Sequence, residues 1–251
     1  MNDNLPMGTP PLTIAITTYN RDPQMVIDSF RQVYDHPAVD EVVIVDDCSD
    51  NSQFIQLDLD IETFRKGKPA QNLSVYRNTK NMGMSRNKSN AIRWSRNDWV
   101  LILDSDNALY PSSIDAICKL TNLRTDTIYC PAFAEPEFDY RRLQGKSWDA
   151  KGVASQIKSR DMSVLLNTCN YLVHRDTYLE TYEYNPDVKE SDTIWFNYLW
   201  LRRGGLLHVV PDWHYYHRIH EGSGWKQNAS ENMRMAERIK GEIVQLANQI
   251  Q

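Results

Sequence analysis

Asp104 and Asp106 stand one residue apart in the stretch 99–107, which reads WVLILDSDN. Two carboxylates held this close repel unless a cation lies between them. Oxygen ligands of that kind suit Mg²⁺, Mn²⁺ or Ca²⁺. The other reading is an acidic loop in which one Asp caps a helix starting near Pro111. A second acidic turn, Asp46-Asp47-Cys48-Ser49-Asp50, lies upstream. Arg86 and Lys88 fall in the first turn of a helix opened by the stretch 81–88, NMGMSRNK. The helix dipole disfavours cations there, and a bound anion would relieve the conflict; otherwise both side chains bend into solvent. His214, His217 and His220 crowd among aromatics between Trp213 and Trp225. No G-x-G-x-x-G or G-x-x-x-x-G-K-[ST] occurs, so neither a dinucleotide fingerprint nor a P-loop is signalled.

These residues need elements to hold them. The apolar run 100–103 suits a strand buried on both faces of a parallel sheet, with Asp104 and Asp106 delivered to its carboxyl end. Alternation along an extended segment would turn both carboxylates toward one spot. A first strand is expected over 12–18, followed by a helix capped by Asp22 with Pro23 at its first position. A second strand is expected at 42–45, a helix at 53–66, a third strand at 73–76 and a helix from 81 to about 95. Strand, helix, strand implies right-handed parallel crossovers, so 12–110 reads as one β-α-β-α-β-α-β half. The fold class is α/β: a Rossmann-like, mostly parallel sheet with helices on both faces.

The second half is less regular. A helix carrying Ile114, Ile117, Cys118 and Leu120 precedes a strand at 127–133. The stretch 135–159 is polar, aromatic-spotted and irregular, and a loop that long is usually functional or mobile. Residues 164–166 and 169–173 read as extended, and a short helix follows Arg175. Ser191 or Asp192 caps a helix whose body, 194–201, is apolar nearly all round and so buried on several sides. Gly204 and Gly205 stop it, and 206–210 is a strand. In the last helix, from about Ser230, Ala236, Ile239, Ile243, Leu246 and Ile250 form a narrow apolar stripe. It docks on the domain or on a partner, and a homodimer through this helix is an expectation. The chain thus divides into a loose tail (1–11), a first half (12–110), a second half of the same domain (111–225) and a C-terminal helix (226–251).

Composition narrows the partners. A net charge of −5 over 251 residues argues against a general nucleic-acid binder, which needs a basic face. Four cysteines without a C-x-x-C pair read as reduced thiols of a cytoplasmic protein. No apolar run approaches the roughly 20 residues of a membrane span. The polar, proline-bearing start is not expected to be a signal peptide.

Taken together, T-x-Y after strand one, D-D-x-S-D after strand two, N-x-G-x-x-R-N, D-x-D and an Asp ahead of an aromatic helix resemble a family 2 glycosyltransferase of the GT-A fold. The resemblance runs from Leu12 to about Trp225. It implies a nucleotide-diphosphate sugar donor, a glycan or other hydroxyl acceptor, and Mn²⁺ or Mg²⁺. It places Thr17, Tyr19 and Arg21 beside the nucleotide, with the Tyr ring on the base. Asp47, helped by Asp46, would accept the N–H of a uracil-like base. Asn81 and Gly83 would border the nucleotide, and Arg86 would meet the diphosphate. Asp104, Ser105 and Asp106 would hold ribose and metal, Asp106 being the surer metal ligand. Asp192 would be the general base of an inverting reaction, with Glu190 the runner-up and simple helix capping the other reading of Asp192. His217 best matches a late metal ligand, with His220 and His214 competing. A sugar-phosphate nucleotidyltransferase is disfavoured because the loop after strand one, TTYNR, lacks glycine. A non-catalytic binding module is disfavoured by the intact Asp104, Asp106 and Asp192.

Overall fold

The computed structural model describes residues 9–68, 72–219 and 228–250. The tail expected at 1–11 lies mostly outside them. The first half alternates as the hydrophobic pattern requires: β1 (Leu12–Thr18), α1 (Pro23–Phe30), β2 (Val39–Asp46), α2 (Asn51–Arg65), β3 (Asn72–Arg77), α3 (Met84–Trp94) and β4 (Trp99–Asp104). Asp22 caps α1 by accepting from the Gln24 N–H at 2.8 Å, with Pro23 next. The remainder is β5 (Ala108–Leu109), α4 (Pro111–Cys118), β6 (Thr127–Cys130), β7 (Phe133–Glu135), β8 (Phe138–Asp139), β9 (Ser147–Trp148), α5 (Ala150–Gln156), α6 (Arg160–Leu166), β10 (Tyr171–His174), α7 (Arg175–Thr181), α8 (Asp192–Arg202), β11 (Leu206–Val209), β12 (His214–Tyr216) and α9 (Ala229–Gln249).

One sheet of eight strands, ordered β3-β2-β1-β4-β10-β6-β11-β9, crosses both halves, so no domain boundary falls near residue 110. β1 to β4 are mutually parallel where paired, and β10 runs antiparallel to β4 and β6. Alternate residues feed two cores. Ile14, Ile16, Leu101 and Leu103 pack with Phe30 and Ile114 on one face. Ala15, Val100 and Ile102 pack with Ile92, Trp200 and Ile239 on the other. Both faces are therefore covered, as a parallel sheet requires.

Four expectations need correction. The stretch 135–159 is not one irregular loop: β7, β8 and β9, a 3-10 turn at Arg141–Leu143 and α5 occupy most of it, with Tyr140, Leu143 and Val153 buried. Residues 164–166 are helical, because Met162, Leu165 and Leu166 bury at spacings of three and four and Ser159 caps the helix. The strand expected at 127–133 breaks at Pro131, which has no N–H for the ladder. The chain then joins a second sheet, β5-β12-β7-β8. Finally, the stripe on α9 packs against α5 and α8 of its own chain, burying Ala236, Ile239 and Ile243, so it does not supply a free dimer face.

Candidate functional site

Parallel register lines up the carboxyl ends of the central strands: Thr17 of β1 sits beside Asp104 of β4, and Thr18 beside Asp46 of β2. The turns leaving these ends wall a cleft of about 1840 Å³. Thr17, Tyr19, Arg21, Asp47, Asn81, Gly83, Asp104, Ser105 and Asp106 all line it. Tyr19 is half exposed.

The turns are cross-linked. Asn20 donates its N–H to Ser49 Oγ at 2.7 Å and accepts from the Asp50 N–H at 2.8 Å, tying the turn after β1 to the turn after β2. Asn20 and Cys48 both sit at positive φ, 45° and 64°, a conformation non-glycine residues adopt mainly where neighbours hold it. Asp47 is a clamp: its carboxylate accepts from Asn78 Nδ2 and from the Met82 and Gly83 N–H groups, each at 2.8 Å. Gly83, at φ 83°, starts α3. The N-x-G motif is thereby given a physical reason, since only glycine takes that φ without strain.

Asp46 does not face the cleft. It is 1% exposed, binds the Ser49 N–H at 3.0 Å and its hydroxyl, and pairs with Arg77 at 3.3 Å. Its role is to shape the turn. Arg86 lays its guanidinium 3.5 Å from the centre of the Tyr184 ring, and Tyr184 lines the cleft.

The two carboxylates of the D-x-D do not share one spot through strand alternation. β4 ends at Asp104, and Asp106 follows in a turn. Each meets its own cation. Asp106 pairs with Arg21 at 3.2 Å, and its carbonyl accepts from Arg218 Nε at 3.2 Å. Asp104 faces Lys88 at 3.5 Å, and its N–H donates to Asn170 Oδ1 at 3.0 Å. Lys88 also pairs with Asp192 at 3.1 Å. Neither expectation for Lys88, anion partner or solvent-facing side chain, is met: it is 1% exposed inside the domain. Burial alone would push its ammonium down, but Asp104 and Asp192 outweigh it and hold Lys88 well above its usual range. Burial lifts the Asp104 carboxyl above the usual carboxylate range, with Lys88 pulling the other way.

Asp192 opens α8 and is buried, and the lining beside it is Glu190 and Thr193. Glu190 accepts from Asn228 Nδ2 at 3.2 Å through one oxygen, while its other oxygen, also buried, has no hydrogen-bond partner among the described residues. His217 lines the cleft between the Phe138 and Tyr215 rings. It is not gathered with Asp104 and Asp106: among the described residues no group of three or more His, Cys, Asp or Glu is set to hold a metal. His220 lies outside the described residues, and His214 packs on Tyr110 instead.

Two partly exposed carboxylates, 22% and 21%, nevertheless fit Mg²⁺ or Mn²⁺. Such ions commonly take one or two protein carboxylates and complete their shell with substrate phosphates and water. Lys88 is the buried cation whose place the sequence pattern did not reveal at first reading. Its signal was the spacing to Ala91 and Ile92, three and four residues on, which puts it on the apolar face of α3.

A sequence profile described as Glycosyl transferase family 2 matches residues 13–173. Hyaluronan synthase of Streptococcus pyogenes is 31% identical over 118 residues, 46% of this chain and 27% of that protein, so the chain spans about a quarter of that relative. Among solved structures, the mannosyltransferase PcManGT from Pyrobaculum calidifontis, in complex with GDP-Man and Mn²⁺, superposes with a TM-score of 0.66 at 17% identity over 94% of this chain and 70% of that one. Staphylococcus aureus TarS 1-349 in complex with UDP-GlcNAc gives a TM-score of 0.67 at 17% identity, covering 93% and 70%. No described helix is long and apolar enough to cross a membrane. With its mixed, mostly parallel sheet and the strand-end cleft of a GT-A fold, and a profile match over well more than half its length, the chain belongs to glycosyl transferase family 2.

Proposed function

We propose that the protein transfers a sugar, with inversion, from a nucleoside-diphosphate donor to a hydroxyl of a glycan or other acceptor. The observation that carries this reading is the placement of Asp104 and Asp106 at the carboxyl end of β4, on the floor of one cleft, with Asp192 behind Lys88. Bound Mn²⁺ or Mg²⁺, held by Asp104 and Asp106, would offset the charge that grows on the leaving diphosphate. Arg21 and Arg218 add positive charge beside the same turn.

Tyr19 offers a ring face to the nucleobase. Asp47 has room for one more donor: a carboxylate accepts about four hydrogen bonds, and three are taken. A ring N–H of uracil, thymine or guanine suits that vacancy, uracil first. In the reaction the acceptor oxygen forms a bond to the sugar carbon, the bond to the diphosphate oxygen breaks, and the acceptor proton passes to the base. Asp192 is the base of this proposal. Glu190 is the second reading, favoured by its place on the lining and its unpartnered oxygen.

The test is release of nucleoside diphosphate from a panel of UDP-, TDP- and GDP-sugars with Mn²⁺, in wild type, Asp192→Asn and Glu190→Gln. Asp192→Asn is expected to keep donor binding and lower kcat by at least about 10²-fold, the low end for a positioned base. An active Asp192→Asn with a dead Glu190→Gln moves the base to Glu190. Activity in both variants removes the inverting mechanism.

A further inference from the structure

Lys88 occupies a position that neither donor binding nor base catalysis assigns. It lies on α3, at the junction of three elements: its Nζ is 3.5 Å from Asp104 at the end of β4 and 3.1 Å from Asp192 at the start of α8. Among the described residues no other lysine or arginine pairs with Asp104 or Asp192. Cys169, Tyr171, Tyr178 and Tyr182 complete the shell around this cluster. One buried positive charge thus serves two carboxylates, one on the donor floor and one at the base. A lysine side chain loses much rotamer freedom and hydration when buried, so its retention here calls for a strong electrostatic return.

We propose that Lys88 is a positioning residue that couples the two ends of the reaction: it divides its charge between Asp104 and Asp192, so that each carboxylate sets how strongly the other is held. This rests on the glycosyltransferase reading above. Its physical content is a non-additivity. With Lys88 present, neutralising Asp192 leaves the whole lysine charge to Asp104. With Lys88 removed, Asp104 and Asp192 lose the cation they share, and their mutual repulsion is no longer offset by it. Asp104 is then misplaced for the donor, and neutralising Asp192 relieves the conflict.

The test is a double-mutant cycle of Lys88→Met and Asp192→Asn, with Lys88→Arg as the conservative variant. Titration calorimetry with UDP and Mn²⁺ gives affinity, and donor turnover gives kcat and KM separately. Lys88→Met is expected to weaken UDP by about tenfold, mid-range for residues in direct contact. Lys88→Met with Asp192→Asn is expected to regain most of that affinity while turnover stays lost. Lys88→Arg should keep donor affinity near wild type and lower kcat, because a wider, planar cation cannot reproduce both short contacts. If Lys88→Met does not fold, the double variant, which buries one charge fewer, is expected to fold and bind UDP. Equal UDP affinity in wild type and Lys88→Met overturns the proposal, as does a loss that Asp192→Asn fails to restore, or a double variant that also fails to fold. If wild type binds no nucleoside diphosphate at all, it is the functional reading that falls, a result separable from an additive cycle in a protein that does bind.

Discussion

The two walls of the cleft are built in opposite ways. The wall made by the turns after β1, β2 and β4 and by the start of α3 is held by polar contacts of fixed geometry: Asn20 to Ser49 and Asp50, Asp47 to Met82 and Gly83, Asp104 to Asn170. The opposite wall, from α6 and α9, is backed by apolar packing that includes α5, with Val153, Met162, Leu165, Ile239 and Ile243 all fully or almost fully buried. Hydrogen bonds fix where a ligand atom must sit, while packing fixes only that a surface exists. Under the proposed function, the difference assigns metal and nucleotide chemistry to the polar wall and shape selection of an acceptor to the packed one.

Substitutions can break this contrast. The largest effect on stability is expected on the packed wall. Leu165→Ala removes a fully buried side chain on α6 and should cost about 2–5 kcal/mol, measured by denaturant unfolding. UDP affinity of the folded fraction should stay near wild type; a loss of nucleotide affinity to match would mean that the walls are not separable. On the polar wall, Asp47→Ala takes the acceptor from the Met82 N–H and one of two acceptors from Asn78 Nδ2 and from the Gly83 N–H. It should cost about 1–3 kcal/mol and weaken UDP in parallel. Retained UDP affinity in this variant would reduce Asp47 to a turn clamp. The smallest effect belongs to an exposed pair outside both walls. Arg141 holds the Asp139 carboxyl down at about 2, through side-chain and backbone hydrogen bonds. A depressed carboxylate stabilises the fold above its unfolded value near 4 and loses that contribution as pH falls toward 2. Because both partners are about half exposed, solvent screening keeps the contribution of the pair small. Asp139→Asn should leave unfolding at pH 7 almost unchanged and flatten its dependence on pH only below 4.

The same contrast explains what could be read from the sequence. Residues of the polar wall lie in short turns next to strands with clear patterns: local spacing singles out Asp104 and Asp106, while Thr17, Tyr19, Asp47 and Gly83 are singled out by the family resemblance of their motifs. Asp46 was misplaced because adjacent residues in a turn point to different sides, and only its tertiary contact to Arg77 decides which. Lys88 was misread for a related reason. A lysine in a helical first turn ordinarily reaches water, and the two carboxylates that draw it inward come from positions 16 and 104 residues away in the chain. The packed wall was hardest to read. Its helices α5 and α6 are seven residues each, too short for periodicity to separate them from strand or loop. They are stabilised by α8 and α9, which follow much later in the chain.

The most direct test of the account is calorimetric titration of UDP into wild type and Asp106→Ala, each with Mn²⁺ and with a chelator. Wild type should bind at least about tenfold more tightly with Mn²⁺, a difference of about 1.4 kcal/mol, and Asp106→Ala should bind equally in both conditions. Equal affinity of wild type with metal and with chelator would contradict the account, because Arg21 and Lys88 would then suffice as the cations of the D-x-D.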